Sequence, residues 1–182
     1  MLVRGVLTNS GGQTTLQGTD LGGTAAPAFT LSDQNGAQVS LASLRGHPVV
    51  LSFMNTHCPD ECPLAGKLQT AMQALGAQSQ DVRWVEVSTD PVGDTAQTAQ
   101  SFLLHYQLEG SHYLLGDQAQ LAPVWQAYSV AVTPNMPTAT ASNGSVSQTD
   151  GLYLIDGQGR ERAYLDSNFT PSMLEGDLRT LL

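Results

Sequence analysis

The chain has 182 residues, 41 % of them hydrophobic, with 7 basic against 16 acidic side chains and a formal charge of −9. That length fills one core and is short for two full-sized domains; the acidic balance repels phosphate backbones and anionic lipid, and Lys67, the single lysine, forms no basic patch, which argues against nucleic acid as a partner. No stretch approaches the ~20 apolar residues of a membrane helix, and Met1 to Leu7 is too short for a signal-peptide core, so the chain reads as soluble, with any export signal or membrane anchor lying outside it.

Thr8 to Ala26 is dominated by Gly, Thr, Gln, Asn and Ser, the composition of a linker or loosely attached arm. Residues 1–23 are read as a flexible leader and 24–182 as one domain. Phe29-Thr30-Leu31 and Gln38-Val39-Ser40 flank Asp33-Gln34-Asn35-Gly36, a hairpin closed by an Asn-Gly turn. Leu41 to Leu44 makes a short turn, and Val49 to Met54 is a buried strand. Leu64, Leu68, Ala71 and Leu75 recur at helical steps, which predicts a helix to about Ala77. Val82 to Val87 is a second strand. Asp94 and Asp117 each precede a Gln by three residues, an Asp version of the capping box, and open two helices. Their buried faces are Ala99, Phe102, Leu103 and Tyr106, then Leu121, Val124, Trp125 and Tyr128. Thr133 to Asp150 is a long polar loop. Gly151–Ile155 and Arg160–Leu165 form a closing hairpin, and Thr170-Pro171 opens a last helix with Pro at its first position. The order predicts an α/β fold, a mixed sheet with helices on both faces and a hairpin near each end.

Cys58 and Cys62 are the only cysteines. They sit where the strand Val49–Met54 hands over to a helix, so both sulfurs are expected to face solvent at a helix N-terminus. An i, i+4 spacing keeps them on one helical face with Cα atoms ~6 Å apart, within disulfide range. The pair can close as a disulfide or clasp one soft metal ion as two thiolates. The helix N-terminus favours thiolate, Pro59 and Pro63 stiffen the loop, and Asp60 and Glu61 oppose the helix field at the sulfurs while favouring an approaching cation.

His57 adjoins Cys58, and adjacent side chains diverge, so it is poorly placed to share a metal with both sulfurs and is read as a supporting residue. His47, His105 and His112 are isolated from one another, and His105 is placed away from the thiols. Asp90 and Asp94 follow a strand and fall at its C-terminal edge, where α/β sheets place their sites; capping accounts for Asp94, while Asp90 is a candidate to line a thiol cleft. Trp84 and Trp125 fall on core stripes.

A strand ending at a Cys pair that opens a helix, in this order of elements, is a thioredoxin-like arrangement. Ala26-Pro27-Ala28-Phe29-Thr30-Leu31, Val39-Ser40-Leu41 through Leu44-Arg45-Gly46, Thr56-His57-Cys58-Pro59-Asp60-Glu61-Cys62-Pro63, Val87-Ser88-Thr89-Asp90-Pro91 with Asp94-Thr95, and Tyr153-Leu154-Ile155-Asp156 together resemble the Sco/SenC family over residues from about 17 to 180. The resemblance implies an extracytoplasmic thioredoxin-fold protein that assists assembly of the binuclear copper site of cytochrome c oxidase. It implies copper held by Cys58, Cys62 and a histidine shortly before the Tyr153 strand. Gln148 stands at that histidine's position. A neutral amide is a weak ligand for Cu(II), whereas two thiolates can suffice for Cu(I).

Two functions therefore stand side by side. One is a metallochaperone whose CxxxC pair carries Cu(I) to the copper-site subunit of the oxidase, or to another thiol or copper protein. The other is a thiol–disulfide oxidoreductase without physiological copper, in which Cys58 attacks and Cys62 resolves a redox-active disulfide. Peroxidase chemistry resembles sites with Thr or Ser three residues before the reactive Cys, where this chain has Asn55, and a zinc site lacks a second ligand pair. An interaction module with vestigial thiols is the remaining reading. A monomer is expected.

Overall fold

The computed structural model describes residues 15–57, 62–132 and 151–182. Its elements are β1 (Thr19–Asp20), β2 (Thr30–Ser32), β3 (Gln38–Ser40), β4 (Val49–Met54), α1 (Pro63–Leu75), β5 (Arg83–Ser88), α2 (Ala96–His105), β6 (His112–Leu114), α3 (Gln118–Ala127), β7 (Leu152–Ile155), β8 (Glu161–Leu165) and α4 (Pro171–Leu181). Among them, six strands form one sheet in the order β1-β8-β7-β4-β5-β6, with β2 and β3 paired separately. Strands β4, β5 and β6 run parallel, while β7 pairs antiparallel to β4 and carries β8 and β1 outward. This is the mixed, thioredoxin-like α/β arrangement that the order of elements predicts.

The central strands are apolar on both faces because both are covered. Val50, Met54, Trp84, Leu152 and Leu154 pack under α1, α2 and α4. Val49, Leu51, Phe53, Val85, Val87 and Ile155 pack under α3 and the β2–β3 hairpin. Trp84 and Trp125 are both buried, as read from their stripes. The hairpin turn differs in detail from a two-residue Asn-Gly turn. Ser32 pairs with Gln38, five residues lie between, and only Gly36 takes a positive φ, 78°. Asp33 Oδ1 accepts from the N–H groups of Asn35 and Ala37 and holds the loop.

The expected loose arm is attached from Gln17 onward. Thr19 and Asp20 pair with Tyr164 and Ala163, and Ala25 bridges Arg160. Asp177 on α4, 2 % exposed, accepts from the Gln17 and Gly18 N–H groups at 2.8 and 3.3 Å. Gly18 permits the approach: a Cβ there would stand 2.8 Å from the Tyr164 carbonyl oxygen. Polar composition hid this strand because its partners are backbone groups and one distant carboxylate. Residues 1–14 and the long loop 133–150 lie outside the described residues.

Two helix starts also move. Helix α1 begins at Pro63 with Cys62 as its N-cap residue, so Cys62 precedes the helix instead of lying on one of its faces. Helix α2 is capped by Thr95 in a reciprocal pair with Thr98, not by Asp94. The Asp117–Gln120 box on α3 forms as expected, and Thr170 caps α4 with Pro171 at its first position.

Candidate thiol and metal site

Strands β4 and β5 end side by side, and their ends are tied together by Asp94. Its Oδ1 accepts the Thr56 N–H at 2.9 Å and the Thr56 hydroxyl at 2.7 Å. Its Oδ2 accepts the Ser88 hydroxyl at 2.6 Å and the Tyr113 hydroxyl at 2.9 Å. The side chain is fully buried. Burial pushes the Asp94 carboxyl up from its ordinary value, and the four hydrogen bonds oppose that shift. Tyr113 also reaches the Met54 carbonyl at 3.1 Å, and burial together with Asp94 holds its phenol well above its usual range. Asp94 is thus released from capping to clamp three strand ends.

This clamp positions His57. Asn55, 3 % exposed, accepts the His57 N–H with its Oδ1 at 3.0 Å. His57 Nδ1 lies 3.8 Å from Asp90 Oδ2, 3.7 Å from Asp94 Oδ1 and 3.3 Å from Thr56 Oγ1. Thr56 spends its hydroxyl hydrogen on Asp94, so its oxygen and both carboxylates favour a hydrogen on Nδ1 and leave the lone pair on Nε2. The imidazole is 41 % exposed. Gly93 gives the ring room, since a Cβ there would stand 2.9 Å from His57 Cε1 and clash with Asp90.

Among the described residues, His57, Asp90 and Asp94 are the group whose donor atoms come within 4.8 Å of one another. Asp94 is nevertheless a poor metal ligand, because four donors already occupy its lone pairs. Asp90 likewise spends Oδ1 on the Val92 and Gly93 N–H groups. The trio orients the imidazole through Nδ1 and leaves Nε2 as its available donor atom.

Cys62 is 2 % exposed and belongs to the apolar layer under α1, which corrects the expectation of a solvent-facing sulfur. Its N–H donates to the Tyr106 hydroxyl at 2.8 Å, and its carbonyl accepts the Gly66 N–H of α1 at 3.0 Å. It is not a free thiol. The residue still borders a cavity of about 420 Å³ with Lys67, Thr70, His105 and Tyr106. A second cavity of about 450 Å³ lies across the His105–Tyr106 pair and is lined by Thr56, His57, Ser101 and Phe102. Cys62 and His57 therefore face two hollows divided by one aromatic ridge, whose rings stand edge to face at 4.8 Å.

No motif in the sequence marks His105 or Tyr106 as a site residue. His105, at the C-terminal end of α2, lines the same cavity as Cys62, where the sequence reading places it away from the thiols. The signal lay in Tyr106, a polar-tipped aromatic ending a buried stripe. His47 and His112 are occupied elsewhere, on the Asp81 carbonyl at 2.9 Å and on Asp33 at 3.1 Å. Cys58, Pro59, Asp60 and Glu61, together with Gln148, lie outside the described residues.

Comparison with known proteins agrees with this architecture. The SCO1/SenC family pattern matches residues 17–182. A relative from Stutzerimonas stutzeri, named as a candidate copper-binding protein, is 30 % identical over 159 residues, 86 % of this chain and 75 % of its own. An SCO2-like protein from Rickettsia prowazekii is 28 % identical over 141 residues, 76 % of this chain and 68 % of its own. The copper-bound structure of ScoI from Bradyrhizobium japonicum superposes with a TM-score of 0.73 at 31 % identity, covering 87 % of this chain and all of that one. With the matched pattern running from the docked β1 arm to the end of α4, this chain belongs to the SCO1/SenC family.

Proposed function

We propose that this protein is an extracytoplasmic copper-handling thiol protein that delivers copper to, or keeps reduced the thiols of, the binuclear copper site of cytochrome c oxidase. Cys58 and Cys62 are the ligands and the redox pair. The observation that carries the reading is the placement of Cys62: at the N-cap of α1, beside a cavity, at the end of the sheet where β4 and β5 terminate. The copper bound in the Bradyrhizobium protein, 31 % identical, supports copper as the cargo.

With Gln148 in place of a histidine, Cu(I) is the preferred ion, because two thiolates satisfy a soft d¹⁰ cation that a neutral amide hardly assists. Anaerobic titration of the reduced protein with Cu(I) against a competing chelator tests this. Tight binding that disappears in Cys58→Ser and Cys62→Ser is the expected result, and binding indifferent to both removes the reading. Gln148→His is expected to raise Cu(II) affinity at least tenfold and to change Cu(I) affinity little. Equal Cu(II) affinity would mean that another donor, with His57 Nε2 the first candidate, already fills the place.

A second reading, thiol–disulfide exchange without copper, is supported by the same placement of Cys62, at the N-cap of α1 and beside a cavity. One thiolate attacks a partner disulfide and the other resolves the mixed intermediate. Cys62→Ser should then trap a partner on Cys58. Failure to trap any disulfide substrate, with Cu(I) binding intact, leaves copper carriage alone.

A further inference from the structure

Lys67 is the single lysine of the chain, and neither copper carriage nor thiol exchange by itself gives it a role. Together with Cys62 it lines the cavity of about 420 Å³ bounded by His105 and Tyr106 at the end of α2 and by Pro171 at the start of α4. Its ammonium donates to the Ser167 carbonyl at 2.6 Å and stands 4.7 Å from the centre of the Phe169 ring. A lysine has three N–H donors, so two stay available. Helix α1 carries no acidic residue, and among the described residues no carboxylate pairs with Lys67 or lines the cavity. With 16 acidic against 7 basic side chains in the chain, a cation left without a carboxylate beside a cysteine favours an anionic guest.

Two further features shape the cavity for a ligand. Gly66 lines it from within α1, where glycine weakens a helix relative to alanine, yet a Cβ there would meet nothing within 4 Å. The glycine leaves room that packing does not require. The Tyr106 hydroxyl accepts the Cys62 N–H at 2.8 Å, and its own hydrogen has no acceptor among the described residues. Phe102, 4.8 Å away centre to centre, holds the Tyr106 ring in place, and His105 adds a ring N–H. An ammonium, a phenol and an imidazole thus border an open space next to Cys62, with a volume inside the roughly 300–1,000 Å³ of small-molecule sites.

We propose that this cavity is a subsite for a small peptide thiol bearing free carboxylates, which Lys67 and Tyr106 hold beside Cys62 while it reduces the cysteine pair. The inference rests on that pair being redox-active. Reduction then runs in two exchanges. The bound thiolate attacks the Cys62 sulfur, a mixed S–S bond forms, the bond between Cys62 and Cys58 breaks, and Cys58 leaves with the electron pair as thiolate. A second small thiolate attacks the sulfur of the bound molecule, forms the small disulfide and releases Cys62. Two electrons pass from the two small thiols to the protein, and the two protons they lose on ionising reach Cys58 and Cys62 through water.

The test reduces the oxidised full chain with glutathione or with 2-mercaptoethanol at matched thiolate concentrations, and counts freed cysteines by alkylation with a polymer-linked maleimide. A net charge of −9 repels an acidic thiol, so without a subsite glutathione is the slower reductant. Glutathione at least tenfold faster, with a rate that saturates, is the expected result. Lys67→Gln should lower that preference about tenfold, and Lys67→Arg should keep most of it. Gly66→Leu should lower it too by filling the space, without lowering the melting temperature, because leucine is the better helix former. S-methylglutathione, which has no thiol, should compete with glutathione and shift the NMR signals of Lys67 and Thr70. Glutathione slower than 2-mercaptoethanol, or a preference indifferent to Lys67, overturns the subsite and leaves the copper and thiol readings standing. A pair that neither thiol opens fails earlier, at the redox reading itself.

Discussion

Asp94 and Glu86 are two acids buried in the same molecule, and Tyr113 stands between them. Its hydroxyl donates to Asp94 while its backbone pairs with the strand carrying Glu86. Asp94 receives four hydrogen bonds. Glu86 leaves one carboxyl oxygen without any. Burial raises both acids. The difference shows that depth decides how strongly an acid resists ionisation, and partners decide what it holds: Asp94 ties strand ends together, while Glu86 sits neutral between strands with one oxygen unpartnered.

The comparison breaks most sharply at Asp94. Asp94→Ala removes the acceptor of the Ser88 hydroxyl and of both Thr56 donors at once and leaves the Tyr113 hydroxyl only the Met54 carbonyl. It should cost about 3–5 kcal/mol of unfolding free energy, the range for removing one partner from a buried network. Urea denaturation measures this, and a loss under 1 kcal/mol would mean the clamp is dispensable.

The next effect is the pH dependence of stability. Glu86 binds its proton more tightly folded than unfolded, with ordinary and raised values of 4.5 and about 8. Below the ordinary value both states are neutral and the full stability is present. As pH rises toward the raised value the unfolded chain releases a proton that the folded chain keeps, so stability falls, on the order of 3–5 kcal/mol across that window. Asp94 acts in the same direction. Glu86→Gln should flatten most of the slope between pH 5 and 8 in thermal melts, while wild-type and variant slopes that coincide would show Glu86 to be paired.

Smaller again is Tyr106→Phe. It removes the acceptor for the Cys62 N–H, worth about 1 kcal/mol. Its more informative consequence is a changed rate of Cys62 alkylation after reduction, since the Tyr106 ring is part of the ridge beside the cavity. An unchanged rate would confine Tyr106 to a structural role.

Much of this was legible in the residues. Stripes at helical steps, the Asp117–Gln120 box, Pro171 and the apolar run Val49–Met54 report energies that a chain settles within a few neighbours, and all of them formed where expected. The family motif around Thr56 and Asp90 was legible for a related reason: close approach there depends on small or charged residues at set spacings, as Gly93 beside Asp90 and His57 illustrates.

Other assignments needed the third dimension. Asp94 and Thr95 are both competent caps, and only the arrival of Thr56, Ser88 and Tyr113 decides that Thr95 caps while Asp94 clamps. Cys62 looks exposed in a polar string but is buried because α2 brings Tyr106 over it. Gln17 and Gly18 look like linker until Asp177, 160 residues on from Gln17, receives their N–H groups. The sequence by itself determined the order of elements, the acidic surface and the thiol pair, since these follow from composition and local periodicity. Tertiary structure alone decided which polar atoms meet, because a hydrogen bond is a matter of ångströms between residues that the chain keeps far apart.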